Sequence, residues 1–153
     1  MRPATAEAYH DEQIATMPDA GAEIFSAITM TNTPEAIGIT RAATRRGAPV
    51  VISVTVETDG KLPTGQLLRE AIQEVDAASG GAPAYCMINC AHPTHFACAL
   101  ETGAAWAGRV GGIRANASKC SHAQLNEATA LDRGDPRELG DEYRSLVERF
   151  PQL

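Results

Sequence analysis

Apolar residues along this chain follow two alternating patterns, short continuous runs and runs spaced at three and four residues, which together predict strands followed by helices. The plainest continuous run is Pro49 to Glu57, whose Val50, Val51, Ile52, Val54 and Val56 are apolar on both faces, as in a strand covered on both sides. Ala22 to Ile28 precedes it, Ala84 to Ile88 follows it, and Val110 to Ala115, interrupted by Gly111-Gly112, makes a fourth. Helical spacing fills the intervals. Thr5 to Met17 offers Tyr9, Ile14 and Met17 to one face before Pro18 and the turn Asp19-Ala20-Gly21. Thr33-Pro34-Glu35 combines a cap, a first-position proline and an acidic first turn, and Gly47 is the matching stop. Thr64 reads as the cap of a helix carrying Leu67, Leu68, Ala71, Ile72 and Val75 and ended by Ser79-Gly80-Gly81. A helix from Pro93 towards Leu100, capped by His92, follows the third strand. Asn116 to Asp132 reads as a long loop with a helical turn. Asp135-Pro136-Arg137-Glu138 then opens a last helix with Leu139, Tyr143, Leu146, Val147 and Phe150 as its stripe.

Strands begin near Ala22, Val50, Ala84 and Val110, so successive starts lie 28, 34 and 26 residues apart. A (β/α)8 barrel of roughly 250 residues spends about 31 residues per unit. The spacing therefore predicts an α/β fold, a partial (β/α)8 TIM barrel of about four strands and five helices spanning residues 1–153 as one partial domain. A smaller open sheet with helices on both faces is the alternative. Half a barrel leaves the edges of the Ala22 to Ile28 and Val110 to Ala115 strands unpaired, so the chain is expected to be a fragment, marginally stable alone and prone to self-association through those edges.

Composition narrows the function classes. With 153 residues and 44% hydrophobic content the chain can bury one core of ordinary size. A net charge of -6 and a pI near 5.2 argue against nucleic acid or an anionic membrane as principal partner, since both demand clustered Lys and Arg. No apolar stretch reads as an export signal or a membrane span, and a cytoplasmic location is expected. Four cysteines, Cys86, Cys90, Cys98 and Cys120, suit metal or thiol chemistry better than a secreted disulfide scaffold.

The candidate chemistry lies where the third strand ends. Asn89-Cys90 brings an amide and a thiol to a carboxyl-terminal strand end, where parallel α/β folds gather ligands and metals. Cys86 points into the strand core and reads as packing, and His92 reads as a helix cap whose protonated form is disfavoured beside a helix amino end. Cys98 and Cys120 are not expected as native ligands, although Cys98 or His95 could be recruited by a stray metal. Glu57 ends a strand on the same rim and could reach substrate, with a solvated loop acid as the equal alternative. Gly111-Gly112 lacks the rest of a phosphate fingerprint, and Thr29 to Thr33 lacks the glycines that a flavodoxin-like phosphate loop needs.

Ile88-Asn89-Cys90 followed by His92-Pro93, and preceded by Tyr9-His10-Asp11-Glu12-Gln13 and Asp19-Ala20-Gly21-Ala22-Glu23-Ile24, resembles the carboxyl-side half of the homocysteine S-methyltransferase family. The resemblance implies a zinc-dependent (β/α)8 barrel that moves a methyl group from a donor to the sulfur of homocysteine, forming methionine. It implies Cys90 as one of three cysteine ligands to Zn2+. Asn116 matches an asparagine that follows the seventh family strand and is carried over as a substrate-binding candidate. The pattern also departs from the family. The Gly-Gly-Cys-Cys motif holding the other two zinc cysteines does not occur, Ile28-Thr29 stands where an acidic residue and Thr are usual, and Arg114-Ala115 replaces Tyr-Pro. The chemistry follows independently, because a thiol of pKa about 8.5 is mostly protonated at neutral pH and zinc deprotonates a bound thiol outright. The rival expectation is a catalytically inactive barrel fragment that at most binds metal through Cys90.

Overall fold

Val50–Thr55 is buried at every position, and the computed structural model, which describes residues 1–153, builds its sheet outward from this strand, β2. Phe25–Met30 (β1) pairs with it on one side and Tyr85–Asn89 (β3) on the other, and Val110–Arg114 (β4) pairs with β3. All three pairings are parallel and the order is β1-β2-β3-β4, so the outer edges of β1 and β4 have no strand partner. Six α-helices accompany the four strands: α1 (Pro3–Thr16), α2 (Thr33–Arg45), α3 (Leu68–Ser79), α4 (Pro93–Phe96), α5 (His122–Glu127) and α6 (Pro136–Arg149). The α/β class and the four parallel strands agree with the sequence reading. The sixth helix is the turn expected inside Asn116 to Asp132, lengthened by a capping box between Ser121 and Gln124. No helix is long and apolar enough to cross a membrane.

Core packing follows the predicted stripes in part, since Leu67 and Val147, both expected on an inner face, are exposed. Ile37, Ile39, Ala42 and Ala43 of α2, Leu68, Ala71, Ile72 and Val75 of α3, and Leu146 and Phe150 at the end of the chain join β2 and β3 in one apolar cluster. Gly38 lets α1 lie close on α2, since a Cβ there would stand 2.6 Å from Ala6 Cβ and 2.6 Å from the Glu7 nitrogen. Arg45 and Arg46 then pair with Asp11 across the same interface. The bidentate Arg109–Asp76 pair, at 2.8 and 3.0 Å, ties the chain before β4 to α3.

Three boundaries and one helix face differ from expectation, each for a local reason. β1 starts at Phe25 rather than Ala22, because the Ala22 amide is used by the Met17 carbonyl in closing the turn after α1. Tyr9 is exposed, and α1 turns Ala6 and Ile14 inward instead. Thr64 is not a cap: residues 61–67 form a small turn closed by a Lys61–Leu67 bridge, and α3 begins at Leu68. α4 ends at Phe96, and the chain reaches Leu100 through turns. Gly111 and Gly112 do not break β4. They make room, since a Cβ on either would come within 3.1 Å of Tyr85 or Met87, and the β3–β4 register gains a bulge at that point.

Candidate functional site at the carboxyl end of β3

Asn89 closes β3 and is 1% exposed, so every polar atom of its carboxamide needs a partner. Its Oδ1 accepts the Ser53 hydroxyl at 2.6 Å and the Thr29 amide at 3.1 Å. Its Nδ2 donates to Thr29 Oγ1 at 2.8 Å and to the Cys90 sulfur at 3.0 Å. One buried amide therefore joins the ends of β1 and β3 to Ser53 within β2 and places a donor against the thiol.

Two of the residues it touches adopt left-handed backbone, Thr29 with φ 63° and Cys90 with φ 56°, and they are the chain's two non-glycine residues with positive φ. Such conformations cluster at functional sites. Thr29 lies in a bulge, where the β1–β2 register passes from Ala27–Ile52 to Met30–Val54. At Cys90 the amide bonds to the Arg114 carbonyl at 3.1 Å, while its carbonyl accepts Asn116 Nδ2 at 3.0 Å and His122 Nε2 at 2.7 Å. Left-handed backbone costs a non-glycine residue roughly 1–2 kcal/mol, and a net hydrogen bond contributes about 1 kcal/mol. Three bonds to the two peptide groups that flank the Cys90 Cα are enough to hold it. Cys90 remains partly exposed at the rim.

The expected site residues gather here with different partners from those foreseen. Asn116 spends its Nδ2 on the Cys90 carbonyl, and its amide bonds to the Ala91 carbonyl at 3.0 Å. Glu57 meets His122 Nδ1 at 3.2 Å. His122 is the residue that sequence reading missed, because a lone histidine opening a six-residue helix carries no periodic signal. Nε2 faces a carbonyl and must carry a proton, and Nδ1 faces a carboxylate. The Cys90 carbonyl and, secondarily, Glu57 raise the His122 pKa above its ordinary value against the opposing effect of burial.

Around this centre the other candidates are spoken for. His92 is buried and caps α4, accepting the Thr94 amide. Burial first, then the charges of Lys119 and His95, depress its pKa. Burial pushes the Cys86 thiol up to about 11, which suits packing. Cys98 is exposed, and Cys120 lies 3.7 Å from Asp132. No group of three or more His, Cys, Asp or Glu side chains is arranged to hold a metal ion. Tetrahedral catalytic zinc takes three protein ligands, so these residues suit one thiolate position and do not by themselves fit the whole ion.

The family model described as homocysteine S-methyltransferase matches residues 1–149. Among solved structures, the apo form of the homocysteine methyltransferase MmuM from Escherichia coli is similar, with a TM-score of 0.56 and 19% identity over 76% of this chain. The match covers 54% of that protein, so the chain spans about half its length. At this identity the likeness shows the fold alone. A comparison with curated protein sequences gave no match.

Proposed function

The chain belongs to the homocysteine S-methyltransferase family, and from that premise we propose that it forms the Cys90 side of a site where a methyl donor alkylates the sulfur of homocysteine. In that reaction the homocysteine sulfur forms a bond to the methyl carbon, the donor's bond to that carbon breaks, and the thiol proton is lost. The observation that carries the reading is the Cys90 sulfur at a strand end, partly exposed and 3.0 Å from the Asn89 amide. In-line displacement depends on fixed geometry, and fixing two reacting groups can supply roughly 7–11 kcal/mol of a barrier. The rigid rim built by Asn89, Thr29 and Ser53 favours that role. Partly exposed Glu57 and Asn116 stand on the same rim as candidates for the polar end of the amino acid.

Zinc, when bound by family members, supplies a deprotonated sulfur at neutral pH. We assign Cys90 to one thiolate position, with further ligands contributed from outside these residues. The single thiolate favours a second reading for the 153 residues alone, a catalytically silent segment that binds metal weakly through Cys90.

Homocysteine titrated into the chain in the presence of zinc tests the proposal, with the Asn89 side-chain amide followed by NMR. The reading expects saturable perturbation of that amide in the wild type and none in Cys90→Ser. Equal perturbation in both, or none in either, would overturn it. Methionine formation by the chain alone would dismiss the silent-segment reading.

A further inference from the structure

We infer that His122, anchored by Glu57, is a positioning residue for the Cys90 thiol: it clamps the Cys90 carbonyl and so maintains the left-handed backbone that keeps the sulfur beside Asn89. The inference rests on Cys90 being the functional sulfur and adds a residue that neither the family motif nor the sequence pattern singles out.

Two side chains bond one carbonyl oxygen, and a third backs one of them. Asn116 reaches it from the exit of β4 and His122 from the first turn of α5, at 3.0 and 2.7 Å, while Glu57 holds the far nitrogen of His122 from the exit of β2. Cys90 itself is the first residue past β3. An extended residue there would carry the strand onward; φ 56° turns the chain instead, with the sulfur 3.0 Å from Asn89 Nδ2 and 3.9 Å from Thr29 Oγ1.

A second, independent observation concerns α5. None of its residues is buried, so no apolar face explains why this six-residue helix docks where it does. Its amino end is satisfied internally by the Ser121–Gln124 capping box. What joins it to the sheet is His122. A surface histidine–glutamate pair would need no contact with the main chain of another element. Here the imidazole bridges a carboxylate and the carbonyl of the one cysteine at the rim. The geometry fits a strut that orients Cys90.

The experiment reads the Cys90 backbone directly, by NMR of the isotopically labelled 153-residue chain without metal or homocysteine. The three-bond amide–α coupling and the Cα and carbonyl shifts of Cys90 report its left-handed conformation. Loss of that signature is expected in His122→Leu, with the shifts of Ile52 and Val75 unmoved. Retention is expected in His122→Gln, whose side-chain amide can still donate to the carbonyl. Glu57→Ala, at a partly exposed position, should weaken the signature and serves if His122→Leu does not fold. A Cys90 that stays left-handed in His122→Leu, or in Glu57→Ala if that variant alone folds, would overturn the inference. So would a signature lost equally in His122→Gln. Because no ligand takes part, failure of homocysteine to bind would remove the proposed function and leave this result standing.

Discussion

Asn89 and Thr29, on strands that are not neighbours in the sheet, are joined by two hydrogen bonds: the Thr29 amide donates to Asn89 Oδ1 and Asn89 Nδ2 donates to Thr29 Oγ1. The bridge spans β2, whose Ser53 donates to the same Oδ1. Asn89→Ala would leave the buried Ser53 hydroxyl and the Thr29 amide without their acceptor. A loss of about 1–3 kcal/mol is expected from the buried Ser53 hydroxyl left unpaired, and less from the amide of the exposed residue Thr29, read as a lower urea midpoint with an unchanged slope. A variant as stable as the wild type would show that the carboxamide is not the hub of the rim.

Gly38 is where α1 and α2 touch. A methyl group at that position would meet Ala6 Cβ and the Glu7 nitrogen at 2.6 Å and the Pro3 carbonyl oxygen at 2.7 Å, closer than packed atoms tolerate, and two of the three obstacles are backbone. Gly38→Ala is expected to destabilise by about 1–3 kcal/mol despite the better helix propensity of alanine. Faster hydrogen exchange should be concentrated in α1. Stabilisation by the variant would mean that α1 does not pack as described.

Thr55 ends β2 with a buried hydroxyl that has no hydrogen-bond partner. Burying an unpaired hydroxyl costs roughly 1–3 kcal/mol by mutational measures. Thr55→Val keeps the branched shape and removes the polar atom, so the unfolding free energy should stay the same or rise. A clear loss of stability would reveal a partner for the hydroxyl.

Two histidines give stability opposite dependences on pH. The folded pKa of His92 lies below the unfolded value of about 6.5, through burial and then the positive neighbours Lys119 and His95, with Glu142 and Glu138 opposing. Its contribution is present above pH about 6.5 and is lost as pH falls through the folded pKa. His122 is raised, so its contribution is present below pH about 6.5 and is lost as pH rises through its folded pKa. His92→Asn, which can still cap α4, should therefore lose less stability than the wild type between pH 6.5 and 5. The difference between the two proteins, measured by denaturant unfolding across that window, is the test; parallel profiles would contradict the assignment.

The sequence made the fold legible where one rule acted alone. β2 was readable because five apolar residues from Val50 to Val56 admit few other conformations, and α6 because Asp135 and Pro136 mark its start and Leu146 and Phe150 its buried face. Thr64 misled because it stands as a cap should, while the Lys61–Leu67 bridge, a contact invisible to propensity, takes its segment into a turn. At the site, Asn89-Cys90 was visible as a strand end. Its partners were not, since Thr29, Ser53 and His122 come from three other segments, the first two meeting it through the parallel strands and the third from α5. Asn116 was singled out for substrate, yet its amide nitrogen is spent on the Cys90 carbonyl. Left-handed backbone at Thr29, a β-branched residue, has no signal in composition because sterics argue against it there.

The claim that Cys90 is the metal-facing thiolate of this rim is tested most directly by titrating Co2+, as a spectroscopic substitute for zinc, into the reduced chain and recording the near-ultraviolet sulfur-to-cobalt charge-transfer band. The band is expected in the wild type, in Cys86→Ser, whose thiol is buried among apolar side chains, and in Cys98→Ser and Cys120→Ser, whose thiols make no hydrogen bond to the Asn89 amide. It should vanish in Cys90→Ser. A band of full intensity in Cys90→Ser would contradict the account.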